Sequence, residues 1–412
     1  MKRRVVITGM GCVSPIGNTV EDTWNGIKNG ECGIAPITHF DTNEHKAKLA
    51  AEVKNLNMEE YFSARELKFN DRFTQFARIT AKQAMLDSGI ELSDINANKF
   101  GVIIASGIGG LISIEDTHTT MMNQGVSRVS PFFIPMALVN LAAGNVAIDV
   151  GAKGFCSSEV TACAAGSQAI GEAFHKIRDG YQDIMLAGGA EASICPLGIA
   201  GFTSMRALHI GEDATRASIP FDKERSGFVM GEGSATLVLE ELEHAKARNA
   251  KIYAEIVGYG ASCDANHITA PMSDGSGGRM AMLSSIEDAS ISADNIDYIN
   301  AHGTSTPLND KTETMAIKGA FLEHAYKLAV SSTKSNTGHL LGASGAVEAV
   351  ITVNAIRDGF IPATINYQVK DEECDLDIVP NEGRSGELRY AMSNSLGFGG
   401  HNVSLIFRKW EE

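Results

Sequence analysis

The sequence predicts an α/β protein of alternating layers, and three observations carry that expectation. Strand-like apolar runs alternate with helical ones along the chain, the pattern of a layered α/β architecture. Glycines cluster at the ends of the strand-like runs, as at Gly9, Gly11, Gly188, Gly189, Gly399 and Gly400, where backbone turns sharply or approaches a ligand. The 412 residues are 44% hydrophobic and 21% charged, an ordinary balance with enough length for more than one structural unit.

Taken in order, Val5–Thr8 reads as a first strand. Its basic flank Lys2-Arg3-Arg4 resembles the start of a signal peptide, but the apolar run is too short for one. Gly9-Met10-Gly11-Cys12-Val13-Ser14 invites a dinucleotide-binding reading. Ser14 stands where the fingerprint needs glycine and Pro15 interrupts the helix start, so a turn after the strand is the expectation. Further strands are expected at 102–105, 183–187, 235–239, 253–257, 297–300 and 403–407. Phe155 to Val160 is extended in character. After it Ile170, Ala173, Phe174 and Ile177 fall at helical spacing up to Asp179-Gly180. A second helix ends in the same way, Ile356-Arg357-Asp358-Gly359 against Ile177-Arg178-Asp179-Gly180. Each follows a strand-like run and a small-residue turn, which suggests two related halves, residues 1–250 and 251–412.

Charge and cysteine usage exclude several classes. A net charge of −15 repels nucleic acid and anionic membrane unless a local basic patch intervenes. No run approaches the roughly 18 apolar residues that a membrane span needs. Seven cysteines, an odd number without a Cys-x-x-Cys pair, argue against a disulfide framework or structural zinc and predict a reducing, cytoplasmic setting.

Cys163, in Val160-Thr161-Ala162-Cys163-Ala164-Ala165-Gly166-Ser167, stands at the tip of the first of these helices among residues with almost no side chain. Unpaired amides and the helix dipole there favour an anion, and a thiolate is the reactive form of cysteine. The local pattern equally fits a small buried hydrophobe. Two histidines shift the balance: His302 in Asn300-Ala301-His302-Gly303-Thr304-Ser305-Thr306, and His339 in Lys334-Ser335-Asn336-Thr337-Gly338-His339. Both sit where sites in open α/β sheets lie. Cysteine with histidine is the composition of nucleophilic acyl transfer. A Cys-His-Asn protease is another candidate, while the spacing fits no zinc signature. His175, His244 and His324 read as surface residues.

These three motifs resemble the active-site motifs of the β-ketoacyl-acyl carrier protein synthases. Val5-Val6-Ile7-Thr8-Gly9-Met10-Gly11, Pro220-Phe221-Asp222, Met230-Gly231-Glu232-Gly233 and Ser393-Asn394-Ser395-Leu396-Gly397-Phe398-Gly399-Gly400-His401-Asn402 extend the likeness over nearly the whole chain. It is closest to the stand-alone, type II members. The resemblance implies the thiolase fold, duplicated halves in five alternating α-β-α-β-α layers, in a homodimer. It implies fatty-acyl elongation by decarboxylative condensation with malonyl-acyl carrier protein; a ketosynthase of a dedicated polyketide or specialised lipid pathway is the alternative, and a non-catalytic chain-length factor a third reading that the presence of all three side chains disfavours. Thiolase itself uses a second cysteine near the C-terminus, where Phe398-Gly399-Gly400-His401 has none.

By the same resemblance Cys163 is the nucleophile. The backbone amides of Cys163 and Phe398 hold the oxyanion, and His302 and His339 hold the enolate. Lys334 and Glu348 match supporting residues, a role that an ordinary buried ion pair would mimic. Thr304 and Thr306, with Thr269 as a third, match pantetheine-binding hydroxyls and would otherwise be exposed loop threonines. Ile108, Phe133 and Phe202 match the acyl-channel lining, and Phe398, flanked by Gly397 and Gly399, matches a gate. Arg65, Lys68, Arg128 and Arg206 match a basic rim that receives acyl- or malonyl-loaded acyl carrier protein. No cofactor is expected. A monovalent cation, Na+ or K+, is expected at Asn300, Ala301, Glu348, Ser393 and Asn394, whose oxygens suit a hard ion.

Overall fold

The computed structural model describes residues 2–411. Ten strands form the central sheet structure: β1 (Val5–Val13), β2 (Phe100–Ala105), β3 (Cys156–Ser157), β4 (Ile184–Glu191), β5 (Gly233–Glu241), β6 (Ala254–Cys263), β7 (Tyr298–Asn300), β8 (Ala329–Ser331), β9 (Tyr390–Gly397) and β10 (His401–Lys409). Their order is β8-β7-β9-β10-β6-β1-β5-β4-β2-β3. Reading outward from the centre, β1-β5-β4-β2-β3 and β6-β10-β9-β7-β8 repeat one order. They also repeat one set of directions, two antiparallel pairings followed by two parallel ones. The two sets meet only through a short antiparallel contact in which Val5 pairs with Ile256 and Ile7 with Ala254.

Five helices complete the layers. α1 (Arg72–Ser88) covers β1, β4 and β5 from outside, and α3 (Ser276–Ala289) covers β6 and β10, with α4 (Pro307–Phe321) packed on α3. α2 (Ala165–Arg178) and α5 (Ser344–Asp358) lie between the halves, each touching strands of both. Burial explains their place. Every residue of α5 from Ser344 to Ile356 is buried, and a helix enclosed on all sides must be sandwiched. The tips of α2 and α5 cross almost backbone to backbone: a Cβ on Gly345 would stand 2.2 Å from Ser167 Oγ and 2.7 Å from its nitrogen. The layers therefore run helix, sheet, helix, sheet, helix.

All six later expected strands are present. The first is longer than expected, and Gly9 to Val13 form strand rather than a turn. Close packing is the reason: a Cβ on Gly11 would lie 2.0 Å from the Thr80 carbonyl, and one on Gly9 2.4 Å from that of Ala84. These glycines let α1 lie directly on the strand. β9 was not expected. Its Ser393-Asn394-Ser395 run is polar yet buried, which hides a strand from hydrophobic patterning. His175, His244 and His324 are half-buried and bonded rather than free surface residues: His175 reaches Asp288 at 3.2 Å, His244 reaches Glu240 at 2.6 Å, and His324 reaches the Ile296 carbonyl at 2.9 Å. Among the described residues no helix is long and apolar enough to cross a membrane.

Candidate active site

Cys163 lies in a single 3-10 turn, Ala162–Ala164, that runs into α2. The turn begins with Ala162 at φ +50°, a left-handed backbone that costs an alanine about 1 kcal/mol and points to an imposed geometry. The β9–β10 hairpin presses against this turn. A Cβ on Gly397 would sit 2.6 Å from the Thr161 carbonyl and 3.3 Å from the Cys163 nitrogen. Gly399 and Gly400 turn the hairpin at φ +87° and +76°, and the Gly399 amide donates to the Ile268 carbonyl at 2.7 Å. This brings the Phe398 amide to the Cys163 sulfur, where it and the amide of Cys163 itself favour a negative charge.

The sulfur is nonetheless not acidified. Burial pushes the thiol up to about 12, against the opposing effects of Lys334 and those amides. This corrects the expectation from the helix tip. Cys163 is 7% exposed, and loss of water outweighs the local dipoles.

His302 follows β7. Its backbone amide donates to Glu313 Oε1 at 2.8 Å, and the Gly303 amide donates to Oε2 at 2.7 Å. His339 lies on the loop between the short helix Lys334–Thr337 and α5, with Nδ1 2.8 Å from Ser344 Oγ. The two rings meet edge to face at 5.2 Å, and Phe228 lies 5.1 Å from His339 in the same manner. Both imidazoles are held well below their ordinary 6.5, first by burial and then by Lys334. Lys334 is fully buried. Its Nζ is 3.3 Å from His302 Nδ1 and in contact with Glu348 Oε1. An ammonium can only donate, so His302 Nδ1 accepts and its proton resides on Nε2, which is free to donate in turn. Burial pushes Glu348 up to about 7, with Lys334 opposing.

These groups converge on a cavity of about 380 Å³. Cys163, His302, His339 and Phe398 line it, together with Thr304, Thr306 and Thr269. Thr304 is buried rather than exposed and bonds to Thr306 at 2.9 Å; Thr306 also caps α4. Phe202 lines the cavity and stacks edge-on to Phe228 at 5.5 Å. Ile108 is half-buried and outside the cavity wall, packed against the cluster that contains Cys163. Arg206 is at the cavity wall, exposed and at φ +56°.

Other expected residues fall elsewhere. Phe133 opens a short surface helix, Phe133–Ala137, and belongs neither to the cavity wall nor to the Cys163 cluster of its own chain, because that segment packs on the surface helix 111–124. Gly399 is exposed at the hairpin turn and shapes it without lining the cavity. Arg65, Lys68 and Arg128 are exposed, outside the cavity wall and without ion-pair partners among the described residues; Arg65 lies over the Phe69 ring. Asn300 and Ser393 are register partners on β7 and β9, and Ala301 follows directly. Glu348 Oε2 and Ser393 Oγ are buried with no hydrogen-bond partner. The Asn394 side chain points away, bonding to Ser404 at 2.8 Å and Met282 at 3.4 Å, because strand alternation sends it to the other face from Ser393.

Phe228, Glu313 and Ser344 escaped sequence reading. A lone aromatic, a helical glutamate and a serine before a helix give no signal until the chain folds around the histidines.

The family described as beta-ketoacyl synthase matches through its N-terminal domain over residues 2–245 and its C-terminal domain over residues 253–368. The chain is 52% identical over 411 residues to the 3-oxoacyl-[acyl-carrier-protein] synthase 2 of Synechocystis sp., covering 100% of this chain and 99% of that protein. It is 51% identical over 409 residues to the synthase 2 of Staphylococcus aureus strain N315, covering 99% of each. Among solved structures, a beta-ketoacyl synthase from Burkholderia phymatum superposes with a TM-score of 0.92 at 36% identity over the whole of both chains. A type II PKS ketosynthase in complex with its acyl-carrier protein superposes with a TM-score of 0.93 at 36% identity, again over the whole of both.

The buried charge at Lys334 sets a testable titration. A nearby cation disfavours imidazolium, so histidine NMR of the wild type should show both rings neutral as pH falls from about 7 to 5.5. Lys334→Met should raise both midpoints, with burial still holding them below the ordinary histidine value. A wild-type midpoint already near 6.5 would contradict the assignment.

Proposed function

The chain belongs to the beta-ketoacyl synthase family, and on that premise we propose that its cavity carries out decarboxylative Claisen condensation, extending a carrier-bound fatty acyl chain by two carbons from malonyl-acyl carrier protein. The observation that carries this reading is the convergence of one thiol, two neutral imidazoles and two amides on a single cavity. The greater identity to the 3-oxoacyl synthases than to the polyketide ketosynthase favours fatty-acid over polyketide elongation.

In the first half-reaction Cys163 Sγ attacks the acyl thioester carbonyl. The C–S bond to the carrier breaks, and the thiol proton ends on the departing carrier thiol. Lys334 and the amides of Cys163 and Phe398 oppose the burial that raises the thiol, and so favour the thiolate that makes the attack. The oxyanion is received by the amides of Cys163 and Phe398; one such donor is worth ~3 kcal/mol of barrier. In the second half-reaction malonyl thioester loses CO2, and the enolate oxygen accepts hydrogen bonds from His302 and His339. Neutral imidazoles donate to it without trapping it by protonation. The enolate carbon attacks the acyl-Cys163 carbonyl, the new C–C bond forms, and the C–S bond to Cys163 breaks, returning the thiol after protonation. Thr304 and Thr306, with Thr269, suit the amides of a pantetheine arm, while the Ile108 and Phe202 cluster suits the chain end.

The orphaned Glu348 Oε2 and Ser393 Oγ fit a Na+ or K+ ion beside Asn300 and the main chain of Ala301 and Asn394. Such an ion would supply structural charge beside Lys334 and would appear as a salt-specific gain in thermal stability. For assembly, we favour a homodimer through the sheet edge at β3, where Ile134, Leu138, Ile148 and Val160 are exposed apolar side chains close in sequence to that edge. Arg206 at the cavity wall, with Arg65, Lys68 and Arg128, supports steering of an acidic carrier onto a protein whose net charge is −15.

Cys163→Ala should abolish condensation yet still decarboxylate malonyl-acyl carrier protein, because the histidines and amides remain. Unchanged condensation by that variant would end the assignment. Reversing Arg206 and Arg128 together to glutamate should raise KM for carrier-bound substrates about tenfold and leave small thioester mimics within about twofold. Equal effects on both would remove the docking role.

A further inference from the structure

Glu191 ends β4 and is completely buried. No cation pairs with it among the described residues, yet all its hydrogen-bonding capacity toward one side is used. Oε2 accepts the Gly107 amide at 2.7 Å and the Gly342 amide at 3.1 Å. Oε1 accepts the hydroxyls of Ser193 at 3.0 Å and Ser106 at 3.2 Å. Ser106 Oγ in turn accepts the Gly109 amide at 3.0 Å. A buried, unpaired carboxylate is costly, and packing alone would be served by an apolar side chain. The donors it collects are therefore the feature to explain.

The backbone donors belong to two separate segments beside the site. Gly107 and Gly109 flank Ile108, whose side chain packs on the Cys163 cluster. Gly342 lies three residues after His339, in the turn Leu341–Ala343 that leads into α5. The two backbones touch: a Cβ on Gly342 would stand 2.2 Å from the Gly107 nitrogen and 2.9 Å from Glu191 Oε2. Leu341 between them is held at φ +48°, a strained backbone for leucine.

We propose that Glu191 is a positioning residue for the condensation, tying the Ile108 loop to the His339 turn so that the end of the acyl chain and the enolate-binding ring are set by one buried carboxylate. This rests on the reading of Ile108 as chain-end lining and His339 as an enolate donor. It assigns Glu191 no contact with substrate.

The test compares Glu191→Leu, Glu191→Gln, Ser106→Ala and Ile108→Phe in the full-length protein. Two quantities are read: the chain-length distribution of products by mass spectrometry, and the rate of malonyl-acyl carrier protein decarboxylation. Glu191→Leu strips all four donors and should alter both, with the rate falling about tenfold. Glu191→Gln keeps a carbonyl oxygen for the two amides, while the serine hydroxyls can turn to accept; it should recover most of both. Ser106→Ala frees Gly109 and removes one hydroxyl from Glu191 while leaving the Gly107 and Gly342 amides bound, and should change the chain profile more than the decarboxylation rate. A folded Glu191→Leu that matches wild type in both overturns the proposal, as does a glutamine variant no better than leucine. Should Glu191→Leu not fold, a wild-type chain profile in Ser106→Ala overturns it. Ile108→Phe should shorten the products. If it does not, the reading of the pocket fails, and the decarboxylation rates still judge Glu191 separately.

Discussion

The Lys334 ammonium is enclosed in protein, and its charge is answered inside the same enclosure by Glu348. Burying that pair is expensive, and removing either partner would leave an uncompensated charge. The arrangement gives the site its electrical character. The ammonium is 3.3 Å from His302 Nδ1, adds to the burial that keeps both imidazoles neutral, and opposes the burial that pushes Cys163 upward. A site that must stabilise an enolate without protonating it needs donors that are not acids, and burial reinforced by one buried cation produces two of them.

That cation and its neighbours come from both halves of the repeated sheet. Cys163 lies in the turn that leads into α2, in the first half; His302 follows β7, and Lys334 and His339 lie beyond β8 in the second. The halves touch at a short strand contact and through the two inner helices, whose tips cross at Gly345 and Ser167. Catalytic groups therefore sit where the helix tips converge. Residues beside them pay backbone strain: Ala162 next to Cys163, Ser305 after His302 and Leu341 after His339 all have positive φ. Rigidity of the sandwich sustains those geometries.

Much of this was legible in the sequence, for reasons that differ by element. Apolar β-runs such as Val403–Phe407 announce buried strands through hydrophobicity alone. The polar, buried Ser393-Asn394-Ser395 stretch of β9 does not, since its burial depends on partners distant in sequence. Gly9 and Gly11 read as a turn because glycine is ambiguous between bending a chain and admitting a neighbour; only the Thr80 and Ala84 carbonyls of α1 decide. Cys163, His302 and His339 were found because their motifs are dense in small residues. The protonation of Cys163 was misjudged because burial is a property of the fold, and it outweighs the helix tip. Motif position does not fix side-chain direction: Phe133 opens a surface helix of its own chain, and the Asn394 side chain turns to the face opposite Ser393. Glu191 carried no signal at all, being one acidic residue at the end of an apolar strand.

The central claim is that the acyl chain is carried covalently by Cys163. Intact-protein and peptide mass spectrometry after incubation with an acyl-acyl carrier protein, without malonyl donor, tests it directly. The account predicts one acyl adduct per chain, on the peptide containing Cys163, with Cys156 and Cys195 unmodified. An adduct on another cysteine, or turnover with no acylated protein at any time, would contradict it.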